Sequence, residues 1–200
     1  MKIVDRCDAL VRAFVTVAGG ALLMSAIAGP AFAQKPPPPP KPVLQFKGGI
    51  GVIPLVSVTG CAATPPACVA NLNVVRGVPP GGQIWVINNL DASVNADGSI
   101  KVNGKGLIEG SSDIAGRAPG ISVIATLICE PSPTFIQHST SSAGVLLSPT
   151  GDFQINDTLA PLPPAACTSP MLLIRRASSG NWLAVGILSP PPPPPPPKNP

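Results

Sequence analysis

The sequence predicts an all-β protein: a single antiparallel β-sandwich or barrel, stapled by disulfides and flanked by polyproline tails. Three observations carry this expectation. Glycine and proline punctuate residues 43–189 at roughly eight- to twelve-residue intervals, the spacing of short strands joined by turns. No apolar period of 3.6 persists for about a dozen residues beyond the N-terminal segment, so amphipathic helices are not predicted. An even set of four cysteines, Cys61, Cys68, Cys129 and Cys167, follows that segment, as in exported domains held together by bridges.

The N-terminal segment has the form of a cleavable export signal covering residues 1–33. Lys2, Arg6 and Arg12 give a basic start, diluted by Asp5 and Asp8, and residues 13–28 are free of charge. Gly29 and Pro30 then break the helix, and Ala31-Phe32-Ala33 places small residues where a signal peptidase needs them. The sixteen-residue apolar run is shorter than the ~20 residues that span a bilayer, so cleavage after Ala33 is expected rather than anchoring. The one early cysteine, Cys7, precedes the apolar run and does not fit a lipoprotein signal.

Residues 34–42 read as a proline-rich linker, with prolines 36–40, Lys41 and Pro42, and residues 190–200 as a polyproline tail. Proline lacks an amide donor and fixes φ, so both tracts are expected to be extended polyproline II. At ~3.1 Å per residue the eight prolines 190–197 extend about 25 Å.

Between the tracts, residues 69–78 and 83–88 are expected to form a strand–turn–strand unit around Pro79-Pro80-Gly81-Gly82. Asp97-Gly98 predicts a tight hairpin turn leading into a strand over 99–109, with Ile100, Val102, Leu107 and Ile108 turned inward. Residues 121–129 (ISVIATLIC) form the clearest buried strand. A second hairpin is expected from 144–147 and 152–156 around Ser148-Pro149-Thr150-Gly151, and a last pair from 171–176 and 182–188. Trp85 and Trp182 are isolated aromatics within strands and are assigned to the core.

The spacing of the cysteines argues against a metal site, because no C-x-x-C occurs and the single histidine, His138, lies in a Ser/Thr-rich stretch. Two disulfides are expected instead, Cys61 with Cys68 around the Pro65-Pro66 bend, and Cys129 with Cys167.

Charge excludes little by itself. Removal of residues 1–33 leaves ten basic and seven acidic residues, scattered and without tyrosine, so no nucleic-acid-binding patch is expected. Beyond the signal no apolar stretch is long enough to cross a membrane.

Catalytic patterns fail one by one. His138 is the only imidazole and is expected at the surface. A triad would need it to meet a serine and Asp113, Asp152 or Asp157, and no G-x-S-x-G elbow is present. Asp91, Asn95 and Asp97 resemble part of a calcium loop, but their spacing fails the pattern and turn formation explains them. Gly104-Lys105-Gly106 lacks the rest of a phosphate-binding loop. Asn156-Asp157-Thr158 fits an N-glycosylation sequon. No catalytic residue, cofactor or metal ligand is therefore assigned.

These observations predict an exported, non-catalytic β-domain that binds or builds a component of the cell envelope or extracellular space. It would be extracellular, or periplasmic in a Gram-negative host, with an unspecified protein or surface as partner. The alternatives are an inhibitor or ligand module presenting the loop between Cys61 and Cys68, or a hydrolase built on His138.

Overall fold

The computed structural model describes residues 42–59, 69–130 and 135–190. Among them thirteen strands follow in chain order: β1 (Leu44–Gly51), β2 (Leu55–Thr59), β3 (Val69–Leu72), β4 (Trp85–Val86), β5 (Asn89–Val94), β6 (Ser99–Lys105) and β7 (Ile108–Glu109). Then come β8 (Ser122–Glu130), β9 (Ile136–Ser139), β10 (Val145–Leu146), β11 (Phe153–Thr158), β12 (Thr168–Arg176) and β13 (Trp182–Leu188). The described residues are all β, as the punctuation of the sequence predicts.

Nine of the strands form one antiparallel sheet in the order β10-β8-β12-β13-β1-β5-β6-β11, with β9 paired to β8 beside β10. The sheet nearly closes on itself. Ser139 at the end of β9 and Ala160 just beyond β11 exchange both backbone hydrogen bonds at 2.9 Å, so the two edges of the sheet meet. Closure of this kind removes most of the unpaired backbone that an open sheet would expose.

Alternation builds one half of the barrel. In β5 (NLDASV) and β6 (SIKVNGK) the apolar members Leu90, Ala92, Val94, Ile100 and Val102 are buried and the intervening polar ones are not. Phe46, Phe153 and Ile155 complete that side of the core. The other half is different. From Val123 to Cys129 every residue of β8 is buried, as expected of a continuous apolar run covered on both sides. Arg175 covers part of its outer side by bonding Thr126 Oγ1, and Arg76 bonds the Ile128 carbonyl at 2.9 Å while its guanidinium lies 5.3 Å from the Phe135 ring centre.

The end of the barrel where β1 finishes and β13 begins is plugged by Val52, Val78, Trp85 and Leu107, all buried. Trp182 is buried too, and its indole N–H donates to the Asn73 carbonyl at 2.9 Å. Both tryptophans therefore take the core role read from the sequence.

Cys129 and Cys167 form a disulfide with Cα atoms 5.0 Å apart. It lies beside the Glu130–Thr168 pair that ends the β8–β12 ladder, tying the loop before β12 to a core strand. Cys61 and Cys68, with the disulfide expected between them, lie outside the described residues, as do residues 1–33, read above as an export signal, and most of both proline tracts.

Three predicted pairings are corrected. Residues 69–78 and 83–88 do not form a hairpin: β3 pairs back to β2, and β4 pairs with β7. The single strand expected over 99–109 is broken after Lys105, where Gly106 adopts φ +65°, a left-handed conformation that glycine takes without strain. The turn after β10 does form, with Ser148 N–H donating to the Asp152 carbonyl, but β10 pairs with β8 while β11 pairs with β6. Sheet closure competes with local hairpin formation at that corner and wins.

Candidate functional site

The outward faces of β1, β5, β6 and β11 carry the polar members of their alternating patterns. Antiparallel register aligns them across the sheet. Lys47 is opposite Asp91, Asp91 opposite Asn103, and Asn103 opposite Gln154. One step along, Gln45 is opposite Ser93, Ser93 opposite Lys101, and Lys101 opposite Asn156. The result is two parallel rows of four polar side chains. With strands ~4.8 Å apart each row spans about 14 Å, and the rows are about 7 Å apart along the strands. They line a shallow cleft of about 460 Å³.

The electrostatics of this face are mild. Lys47 and Lys101 contribute two positive charges and Asp91 one negative charge, held at 2.8 Å by the Asn89 amide. The other five side chains are amides and a hydroxyl, each able to donate and accept. The cleft ends at an ion pair, Lys105 Nζ to Asp152 Oδ2 at 3.0 Å, and the Gly106 N–H donates to the other carboxylate oxygen. The Lys105 hydrogen bond, followed by that of Gly106, lowers the Asp152 pKa from its ordinary value. Gly104, between these residues and the rows, lies against the Phe153 ring: a Cβ there would be 2.1 Å from a ring carbon.

The Asp97-Gly98 turn joins β5 to β6 as predicted, with Gly98 at φ +79°. Asp97 Oδ1 accepts from both the hydroxyl and the backbone N–H of Ser99, which lowers the carboxyl pKa. Asn95 donates to the same hydroxyl. These side chains are engaged in closing the turn, while Asp91 sits on the strand face, so the three oxygen donors are divided between two tasks.

His138 differs from its predicted surface position. It lies on β9 opposite Leu127 and is 2% exposed. Nδ1 is 2.7 Å from the Pro161 carbonyl, and Nε2 has no hydrogen-bond partner among the described residues. Among the described residues neither a serine nor a carboxylate is hydrogen-bonded to the ring. Asp113, Asp152 and Asp157, the candidate carboxylates, are thus not joined to it. Asp157 instead accepts from the Ser141 N–H at 2.7 Å. Asn156 of the sequon is exposed on β11, within the second polar row.

The eight-residue face was not singled out from the sequence, although its signal is present. Residues 89–94, 99–105 and 153–158 alternate polar with apolar, and reading the polar phase identifies six of the eight side chains. Which strands lie side by side is set by long-range pairing and is not encoded locally. Comparison with known proteins gives no match: no family model, no curated protein and no solved structure matches the chain.

Proposed function

We propose that this chain is an exported, non-catalytic domain that binds a hydroxyl-rich ligand, an envelope or extracellular polysaccharide, on the polar face of β1, β5, β6 and β11. The observation that carries this reading is the pair of cross-strand rows, Lys47-Asp91-Asn103-Gln154 and Gln45-Ser93-Lys101-Asn156. Side-chain amides offer a donor and an acceptor a few ångströms apart, which matches neighbouring sugar hydroxyls. The face has one net positive charge, compatible with neutral or weakly acidic sugars, and its shallow form suits an extended chain lying across it. Export is supported by the signal pattern in residues 1–33 and by a disulfide, which persists in oxidising compartments. Among the described residues no helix is long and apolar enough to cross a membrane.

Affinity electrophoresis of the chain through gels containing isolated envelope polysaccharides tests the reading. Retardation by at least one fraction is expected, with Lys101→Ala and Asn103→Ala each weakening it about tenfold while leaving the unfolding midpoint unchanged. Failure of every fraction to retard the chain, or equal retardation of both variants, would refute the assignment of this face.

A further inference from the structure

A second surface is unlike the polar face. Ile53, Leu55, Leu72, Pro80 and Ile84 line a groove of about 560 Å³ at the end of the barrel where β1 finishes and β13 begins. Ile53 is 61% and Leu72 52% exposed, and Val56, Val74 and Val86 nearby are exposed as well. Large aliphatic side chains gathered in this way mark contact surfaces. The polar atoms at the rim are partly committed: Asn181 donates to the Pro80 carbonyl, and Ser111 donates to Gln83 Oε1 at 2.8 Å. That leaves the Gln83 amide nitrogen as a donor at the edge of an apolar trough.

A polyproline helix complements this chemistry. Its rings are apolar, its carbonyls accept hydrogen bonds, and it has no N–H to satisfy. This chain supplies such a segment in prolines 190–197. The place where that segment leaves the domain decides whose groove it can reach. β13 starts beside Asn181 in the groove wall and runs seven residues to Leu188, about 23 Å along the strand. There Ser189 N–H donates to the Gln45 carbonyl at 2.8 Å, and the proline tract begins at the end of the barrel opposite the groove. In the polyproline II form expected from the sequence, eight prolines reach only about 25 Å, little more than the length of β13, so reaching back to the groove of the same copy would require a reversal that polyproline II does not make.

We propose that the domains assemble head to tail, with the C-terminal proline tract of one copy seated in the Ile53-Leu72-Ile84 groove of the next. A contact between two different patches is head to tail and closes into a ring only if its rotation returns to the first copy; patches at opposite ends of the barrel favour an open chain of domains. The eight uninterrupted prolines 190–197, rather than the five at positions 36–40, are the occupant, because a longer tract fills more of the groove.

Sedimentation velocity on the chain beginning at Gln34, over a concentration series, reads the assembly directly. The sedimentation coefficient should rise continuously with concentration. Deletion of residues 190–200 should leave a monomer, and so should Ile84→Lys, with Leu72→Lys as the second groove variant should the first fail to fold by circular dichroism. The decisive sample is a mixture of the tail deletion with the groove variant. One intact groove and one intact tail remain, so a discrete 1:1 dimer should form and grow no further. A chain that stays monomeric throughout, oligomers that survive the tail deletion, or a mixture that stays monomeric would each overturn the proposal. The per-domain polysaccharide affinity of the same variants is expected to be unchanged, since the polar rows do not contribute to the groove, while the avidity of the assembled chain is lost.

Discussion

Removing the Cys129–Cys167 bridge by the double substitution Cys129→Ala/Cys167→Ala should cost about 4 kcal/mol. The figure follows from the bridge's sequence separation of 38 residues: constraining an unfolded loop of that length removes about 13 cal/mol/K of chain entropy, or about 4 kcal/mol at room temperature. For a domain of this size the corresponding fall in melting temperature is roughly 8–16 °C. The loop contains β9, β10 and β11, so without the link a large part of the sheet is freed in the unfolded chain. Urea unfolding followed by tryptophan fluorescence is the suitable assay, because Trp85 and Trp182 are both buried. Substitution is preferable to reduction, which would also act on any bridge between Cys61 and Cys68. A larger m-value should accompany the loss, since the unlinked chain expands further. A loss below about 1 kcal/mol with an unchanged m-value would refute the view that the bridge acts on the unfolded state.

Three more outcomes follow from single contacts. Gly104→Ala should destabilise by about 1–3 kcal/mol, because the new methyl meets the Phe153 ring at 2.1 Å; adding Phe153→Leu should recover part of the loss in a double-mutant cycle, and strict additivity would sink the steric account. His138→Ala should cost about 2–4 kcal/mol by leaving a cavity and removing the bond to the Pro161 carbonyl, whereas a change within 0.5 kcal/mol would fit the surface position read from the sequence. Asp97 and Asp152 both have pKa values lowered in the folded state, so their contribution is present above the ordinary value of 3.8 and is lost as pH falls through the lower folded values. The urea midpoint of the wild type should drop below pH 4 more steeply than that of Asp152→Asn, and parallel curves would show that the Lys105 and Gly106 contacts do not favour the charged form.

The legible parts of this fold are those set by near neighbours. The strand predicted over 182–188 matches β13, because Ser178-Ser179-Gly180-Asn181 ends one strand and an apolar run starts the next. The Asp97-Gly98 turn was legible because left-handed backbone selects glycine. The run ISVIATLIC announced a strand covered on both faces. By contrast, β1 (LQFKGGIG) has two adjacent glycines and weak alternation, and its identity as a strand depends on β13 and β5 lying on either side. The β2–β3 and β4–β7 pairings depend on how the end of the barrel is plugged, which no local pattern records. The serines and threonines around His138 predict exposure. In β9 those neighbours alternate faces, and the histidine falls in the inward phase opposite Leu127. The polar face was legible in phase but not in partnership: the alternation was visible, and the rows it forms were not.

The pairing of β1 with β13 also has a consequence for the order in which the structure can be completed. The first strand of the domain and the last one are neighbours, with Gly51 opposite Ala184 and Phe46 opposite Leu188. One flank of Leu44–Gly51 can find Asn89–Val94 early, but the other has no partner until the final strand has been synthesised. Contacts this remote in sequence slow folding, and an unpaired strand edge can recruit another chain. Ile50, 58% exposed even in the finished barrel, lies on that waiting edge opposite Val185. A ribosome releasing this chain from its N-terminus therefore delivers the last piece of the cylinder last, and the interval before it arrives is when the domain is most vulnerable.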